Sequence, residues 1–219
     1  MTKKVVVLLA GVMLTLATNA MASSLLTGGN YSHNIYLLKG TQQITEDAGS
    51  IDTSVLDSRN LDYLYCVDLD HVININTTYS YTSVNNTALI HGQQLIHADK
   101  VAYLLGTYGA GGQGEKAQAL QAAIWYEITD GVYHLNDAAY SSTSNVPYLY
   151  KTYVNDAANK SGDISKFVWI NPGTDPTGTA VYQAQVTSAP APEPSTIVLL
   201  VTGILGMAIF GKRRMIKAA

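Results

Sequence analysis

An apolar segment lies close to each end of this 219-residue chain, and only the residues between the two segments can form a globular domain. The N-terminal segment, residues 5–17, follows two lysines and precedes the sequence Ala-Met-Ala. A positive start, an apolar run and a small-x-small cleavage site are the three parts of a secretory signal peptide. Residues 1–22 are therefore predicted to direct export, and Ser23 is predicted to begin the mature chain.

The C-terminal segment has a different order of parts. A proline-rich stretch at 189–194 has to be extended rather than helical. An uncharged, mostly apolar stretch follows at 196–211, which is at the short end for a membrane-spanning helix. Four basic residues close the chain, namely Lys212, Arg213, Arg214 and Lys217. Because such a basic end stays in the cytoplasm, residues 189–219 are predicted to anchor the exported domain in the inner membrane.

This order of parts resembles the PEP-CTERM sorting signal of Gram-negative bacteria, and Pro192, Glu193, Pro194 and Ser195 carry the match. The resemblance implies that an exosortase, a membrane transpeptidase-like protease, cuts near the motif and releases or re-attaches the protein. It also implies a final location at the cell surface or outside the cell, in a setting of exopolysaccharide production and biofilm formation. A plain membrane anchor is the alternative interpretation.

The central region, residues 23–188, is long enough for one domain with a sizeable core. All 16 acidic residues lie between Ser23 and Pro194, but only seven of the 13 basic residues do, which gives the exported part a net charge of about −9. An acidic surface argues against a nucleic acid as the partner.

Residue patterns in this region predict strands first, then two helices, then strands again. Strands are expected at 34–38, 63–69, 72–76, 167–170 and 180–187, helices at 97–108 and 115–129, and a polar loop or hairpin at 77–86. This order predicts an α+β fold, mostly an antiparallel β-sandwich or barrel-like domain with a two-helix insertion.

Two residues of the central region need a chemical explanation. Cys66 is the only cysteine of the chain, although disulfides of exported proteins need pairs, so it should be buried, paired between molecules or chemically committed. Gln121 shares a face of the second predicted helix with Ala117, Ile124 and Ile128. Its amide is therefore expected in the core, where an unpaired amide costs about 1–3 kcal/mol.

A covalent bond between Cys66 and Gln121 would explain both residues. Attack of the cysteine sulfur on the carboxamide carbon releases ammonia and forms an internal thioester. The product removes the buried amide nitrogen, uses the lone thiol and stores an acyl group that reacts with amines and hydroxyls. Spacing alone also allows a small buried cysteine and an ordinary hydrogen-bonded glutamine.

Four segments resemble the thioester domains of bacterial surface adhesins: 65–69 (YCVDL), 100–105 (KVAYLL), 120–125 (LQAAIW) and 128–131 (ITDG). The resemblance implies that Cys66 supplies the thioester sulfur and Gln121 the acyl group. It implies an adhesive rather than enzymatic function, in which a partner's amine is coupled through the former glutamine. Familiar members occur on Gram-positive cells, whereas the sorting tail here is of the Gram-negative kind. Neighbouring cells, matrix proteins and aminated polysaccharides are therefore included among the expected targets.

Other functions remain open at this stage. The main alternative is a structural or carbohydrate-binding matrix protein that binds without a formed thioester. A cysteine hydrolase would need a base for its thiol, and the histidines available in the region carry no specific motif: His71, His91, His97 and His134. They look scattered and Cys66 has no neighbouring ligand, so no metal site is expected. No cofactor is expected either, because the glycine-rich stretch 109–114 lacks the Lys-Ser/Thr of a phosphate loop.

Overall fold

A computed structural model describes residues 23–29, 33–109, 114–173 and 182–189. The α+β, mostly β class predicted from the sequence is confirmed, because three helices pack with antiparallel sheets in these ranges. The strands are β1 Ser23–Leu26, β2 His33–Lys39, β3 Gln42–Ala48, β4 Val55–Leu56, β5 Arg59–Asn60, β6 Tyr65–Cys66, β7 Thr78–Asn85, β8 Leu89–Ile90, β9 Gln93–Gln94, β10 Tyr133–Leu135, β11 Phe167–Asn171 and β12 Gln185–Ser188. The helices are α1 Ala98–Tyr108, α2 Glu115–Ile128 and α3 Val146–Ala157.

The predicted terminal segments lie almost entirely outside these residues. The signal peptide at 1–22, the sorting motif and the membrane-spanning stretch at 196–211 are not among the described residues. Within the described ranges, no helix combines the length and the apolar character that crossing a membrane requires.

The largest sheet has the strand order β5-β4-β1-β7-β11-β12-β6 and curls into a half-barrel. Its centre is β11, which pairs antiparallel with β7 on one side and with β12 on the other. Among the described residues, strand β6 ends the sheet and pairs with β12 alone, where Cys66 lies opposite Gln185. The far edge of β6 therefore has backbone groups that no strand of the described ranges satisfies.

Helix α2 lies at the centre of the domain. It packs against α1, α3 and the small sheet of order β10-β2-β3. Every residue from Ala117 to Trp125 is buried, so Gln121 lies in the core as predicted, and the helix is enclosed on all sides rather than along one face. Enclosure explains the run of alanines, because small side chains let neighbouring elements approach a central helix closely.

Both helix ends that the sequence predicted are confirmed, and the end of α2 has a visible cause. Helix α1 ends at Tyr108, and the following Gly109 lets the Tyr63 ring pack closely, since an added Cβ would come within 3.1 Å of that ring. Helix α2 ends in a Schellman motif, in which Asp130 takes a left-handed φ of 50° and the N–H of Gly131 donates to the Tyr126 carbonyl at 2.8 Å. The glycine, together with an aspartate that tolerates positive φ, therefore stops α2 where the sequence predicted.

Several local predictions are wrong. The strand predicted at 63–69 is reduced to the two residues of β6, and 72–76 forms no strand. The polar loop or hairpin predicted at 77–86 is instead the single eight-residue strand β7, whose Ser and Thr side chains mostly face solvent. Helix α3 was not predicted, because tyrosines rather than aliphatic residues supply much of its buried stripe of Val146, Tyr150, Tyr153 and Ala157.

An ion pair joins the two helices that were predicted. Lys100 on α1 lies 3.0 Å from the carboxylate of Glu127 on α2, and the Glu127 side chain is only 3% exposed. Removing the lysine would leave a buried carboxylate without its cation, which is far more costly than losing an exposed pair.

We expect Lys100→Met to lower the free energy of unfolding by about 2 kcal/mol, a value below that of a fully buried pair because Lys100 is itself partly exposed. The matched control is Lys151→Met, which breaks the more exposed pair with Asp137 and should cost less than about 0.5 kcal/mol. Urea unfolding followed by circular dichroism measures both. Equal effects of the two substitutions would contradict a stabilising role for the buried pair.

Candidate functional site

Cys66 and Gln121, which are 55 residues apart in the sequence, are in direct contact in the fold. The backbone N–H of Cys66 donates to Gln121 Oε1 at 2.9 Å, and Gln121 Nε2 donates to the Cys66 carbonyl at 2.7 Å. The amide of one side chain thereby pairs with both backbone groups of one residue. It acts as the missing neighbour of β6 at the edge of the sheet.

This pairing explains why a glutamine is tolerated in the core. Gln121 has no exposed surface and Cys66 is 1% exposed. Unpaired, the two amide atoms and the two backbone groups would each cost about 1–3 kcal/mol in such a setting. Because they satisfy one another, the buried amide predicted from the helix pattern has a non-covalent explanation in this geometry.

The thiol of Cys66 has a second buried glutamine beside it. Gln185 Nε2 lies 3.3 Å from Cys66 Sγ and 3.2 Å from the carbonyl of Gln183, and it is also near Gln183 Oε1. Three acceptors around this atom require it to be the nitrogen, so an N–H points at the sulfur. The opposite atom, Gln185 Oε1, is buried and finds no hydrogen-bond partner among the described residues.

Burial dominates the protonation of this thiol. It raises the pKa of Cys66 to about 12, against a smaller lowering by the N–H of Gln185. The thiol is therefore neutral at physiological pH. A cysteine hydrolase needs the opposite shift, and no histidine within the described residues hydrogen-bonds to the sulfur.

A cluster that the sequence analysis missed lies two residues beyond Cys66. Asp68 Oδ2 is 2.7 Å from His71 Nδ1 and 2.7 Å from His91 Nε2. The expectation that the histidines are scattered is therefore wrong for these two. The spacing of three residues between Asp68 and His71 was a visible signal, whereas His91 joins through the β8–β9 hairpin, which the sequence analysis did not recognise.

The carboxylate at the centre of this cluster is ionised. Burial raises the pKa of Asp68, but hydrogen bonds from His91, the Asp70 backbone and His71 together outweigh burial and lower it. The remaining predicted histidines do not join the cluster. His97 faces the exposed Asp130 at 3.3 Å, and His134 lies in β10 on the small sheet.

No protein-family model, curated protein or solved structure matches this chain. The function of the site has to be inferred from its own chemistry.

The double hydrogen bond between Gln121 and Cys66 can be measured in a chain that cannot form a thioester. In a Cys66→Ala background, we expect Gln121→Ala to lower the free energy of unfolding by about 3 kcal/mol, because two buried backbone groups lose their partners. The control is Gln118→Ala in the same background. Gln118 is also buried, but its amide makes one 3.3 Å bond to the Asn34 carbonyl, so its loss should cost about 1 kcal/mol or less. Urea unfolding of both double variants measures these losses. A larger loss of unfolding free energy for Gln121→Ala than for Gln118→Ala would reveal the structural role of the Gln121–Cys66 pairing, and equal losses would contradict it.

Proposed function

We propose that this protein is an exported surface or matrix protein that forms an internal thioester between Cys66 and Gln121 and uses it to capture amine- or hydroxyl-bearing partners covalently. The observation that carries the proposal is the alignment of the Gln121 amide on the main chain of Cys66, whose own side chain bears the nucleophile. A reactive pair needs this kind of fixed approach, because correct positioning supplies a large part of the barrier reduction.

The hydrogen bonds favour the chemistry as well as the position. When Cys66 Sγ attacks the Gln121 carboxamide carbon, negative charge develops on Oε1. The N–H of Cys66 already donates to this atom at 2.9 Å, as a donor of an oxyanion hole does. The attack forms the S–C bond. Collapse of the tetrahedral intermediate then restores the carbonyl, breaks the C–N bond and releases ammonia, which takes up the thiol proton.

The second step is transfer to the partner. An amine attacks the thioester carbonyl, forms an amide with the former Gln121 side chain and returns the Cys66 thiol; a hydroxyl would form an ester. Burial of both residues keeps water from the acyl group until a partner reaches it. The net negative charge of the exported part favours the approach of cationic molecules, including proteins rich in lysine and amino sugars.

Export and sorting form part of the same proposal. They depend on the signal peptide predicted at 1–22 and on the PEP-CTERM motif, which is expected to be processed by an exosortase. A domain that reacts with surface amines is useful only outside the cytoplasm. Inside the cytoplasm, the free amines of the cell's own metabolism would consume the thioester.

A non-covalent matrix or carbohydrate-binding function is the second candidate. It is favoured by one observation: both polar atoms of the Gln121 amide are already satisfied by hydrogen bonds, so the fold is complete without a covalent bond. In that case Gln121 serves only to close the edge of β6.

Intact-mass spectrometry separates the two candidates. We expect the mature protein, purified from cells that export it, to be lighter than its sequence by one ammonia, and the Cys66→Ala variant to have its full mass. Both proteins are cleaved at the same sites. Comparing the measured difference between their masses with the calculated difference therefore detects the bond even when the cleavage sites are not known. Methylamine should turn the deficit into an excess of one methylene group, because it converts Gln121 to its N-methylamide, and it should release one titratable thiol. A freshly purified wild type with full mass and a titratable thiol would refute the thioester and favour the non-covalent function.

Gln185 should control how fast the bond forms. Its N–H stabilises the thiolate that attacks Gln121, and burial already disfavours that thiolate. We expect Gln185→Leu to slow the appearance of the ammonia deficit roughly tenfold or more, since a hydrogen bond to a charged group contributes about 1.5–3 kcal/mol. Pulse-labelled protein sampled over time gives the rate. Gln118→Leu, which changes a buried glutamine away from the sulfur, should leave the rate unchanged; equal slowing by both variants would assign the effect to general destabilisation.

A further inference from the structure

Three potential metal-ligand atoms from two separate segments converge beside the end of β6. They are Asp68 Oδ2, His71 Nδ1 and His91 Nε2, and all three lie within 4.8 Å of one another. The side chain of Asp68 is 6% exposed, while those of His71 and His91 are 36% and 21% exposed. The carboxylate is thus buried, and the two imidazoles beside it are partly exposed to solvent.

We propose that Asp68, His71 and His91 form a binding site for a divalent transition-metal ion, with zinc as the ion that best fits the donor set. Two imidazole nitrogens and one carboxylate oxygen are a common three-ligand set for zinc sites that keep a fourth position open. Imidazole also excludes the hard ions Ca²⁺ and Mg²⁺, which take oxygen ligands. The open position would face solvent on the side of His71.

The distances require only a small adjustment. Zinc–ligand bonds of about 2.0–2.2 Å in a tetrahedral site place ligand atoms roughly 3.3 Å apart. Each nitrogen is now 2.7 Å from the carboxylate oxygen. A separation of the two rings from Asp68 by about half an ångström would therefore admit the ion, which side-chain rotations can supply.

The scaffold fixes the central ligand. The backbone N–H of Asp70 donates to Asp68 Oδ1 at 2.8 Å, and the backbone N–H of Ala184 approaches Oδ2 at 3.4 Å. A ligating carboxylate held in this way by outer hydrogen bonds is a regular feature of protein metal sites.

The third ligand is fixed by a tight turn. His91 and Gly92 occupy the two central positions of the β8–β9 hairpin, with φ of 50° and 78°. Positive φ at both positions is the signature of a type I′ turn, for which Asn-Gly is the preferred pair. The N–H of His91 also donates to Asn171 Oδ1 at 3.0 Å. A histidine therefore stands where the turn alone would favour asparagine, and its ring points at Asp68.

The competing explanation is a hydrogen-bonded cluster without an ion. In that state each ring donates its N–H to Asp68, and the carboxylate is satisfied. Coordination would require the proton of His71 on Nε2 and that of His91 on Nδ1. His91 Nδ1 is buried without a partner in either tautomer, so it does not distinguish the two states.

Zinc titration of the untagged, chelator-treated mature protein tests the proposal. We expect isothermal calorimetry to give one zinc ion per chain. Cobalt(II), added as a spectroscopic probe, should give the intense visible bands of four-coordinate cobalt. His71→Ala and His91→Asn should each weaken zinc binding by more than the ~10–100-fold that loss of an outer-shell contact causes. Asparagine at position 91 keeps the residue that the turn prefers, so this variant should fold.

The matched control is His97→Ala, which removes a histidine paired with an aspartate outside the cluster and should leave zinc binding unchanged. Absence of stoichiometric zinc binding by the wild type, or equal binding by the wild type and both cluster variants, would overturn the proposal and leave a hydrogen-bonded cluster. The inference is independent of the thioester, since the ammonia deficit of the intact protein and the zinc stoichiometry are separate measurements.

Discussion

The pairing of the Gln121 side chain with the main chain of Cys66 is the contact on which the arrangement of this domain depends. In the part of the chain that the structure describes, strand β6 ends the large sheet and pairs with β12 alone, so its outer edge needs partners that no strand there provides. Helix α2 supplies them from inside the core through one amide. The sheet and the helical layer are thus joined by directional hydrogen bonds as well as by apolar packing, which fixes the position of α2 relative to β6.

The same contact decides how reactive the pair can be. A thiol that is fully buried is a poor nucleophile, because burial holds its pKa near 12 and the thiolate is scarce. Close placement and an N–H donor aimed at Oε1 act in the opposite direction, since both lower the barrier to attack on the amide carbon. In the proposed function, slow formation inside a dry site and long survival of the product have one cause, namely the exclusion of water from Cys66 and Gln121.

The sequence predicted the parts of the fold that depend on local patterns and missed those that depend on tertiary contact. Helices α1 and α2 have apolar periodicity and glycine near their ends, and both were found within about a residue of their bounds. The segment of strand β7 has the polar pattern of a loop or hairpin because its Ser and Thr residues mostly face solvent. Its pairing with β1 and β11 makes it a strand. At the site, the burial of Cys66 and Gln121 was predictable, whereas the contributions of Gln185 and His91 come from distant segments whose pairing no local pattern encodes.

A few buried polar atoms of the core have no hydrogen-bond partner among the described residues. In the part of the chain that the structure describes, four buried side-chain atoms lack a hydrogen-bond partner: Tyr65 OH, His91 Nδ1, Trp125 Nε1 and Gln185 Oε1. Tyr65 precedes Cys66, Trp125 follows Gln121 by one helical turn, Gln185 contacts the sulfur, and His91 contacts Asp68. Folded proteins satisfy nearly all of their buried polar atoms, and the exceptions need an explanation. Gln185 and His91 contact the two groups whose chemistry is proposed above, the Cys66 sulfur and the Asp68 carboxylate, so part of the unsatisfied polar surface belongs to the proposed sites themselves.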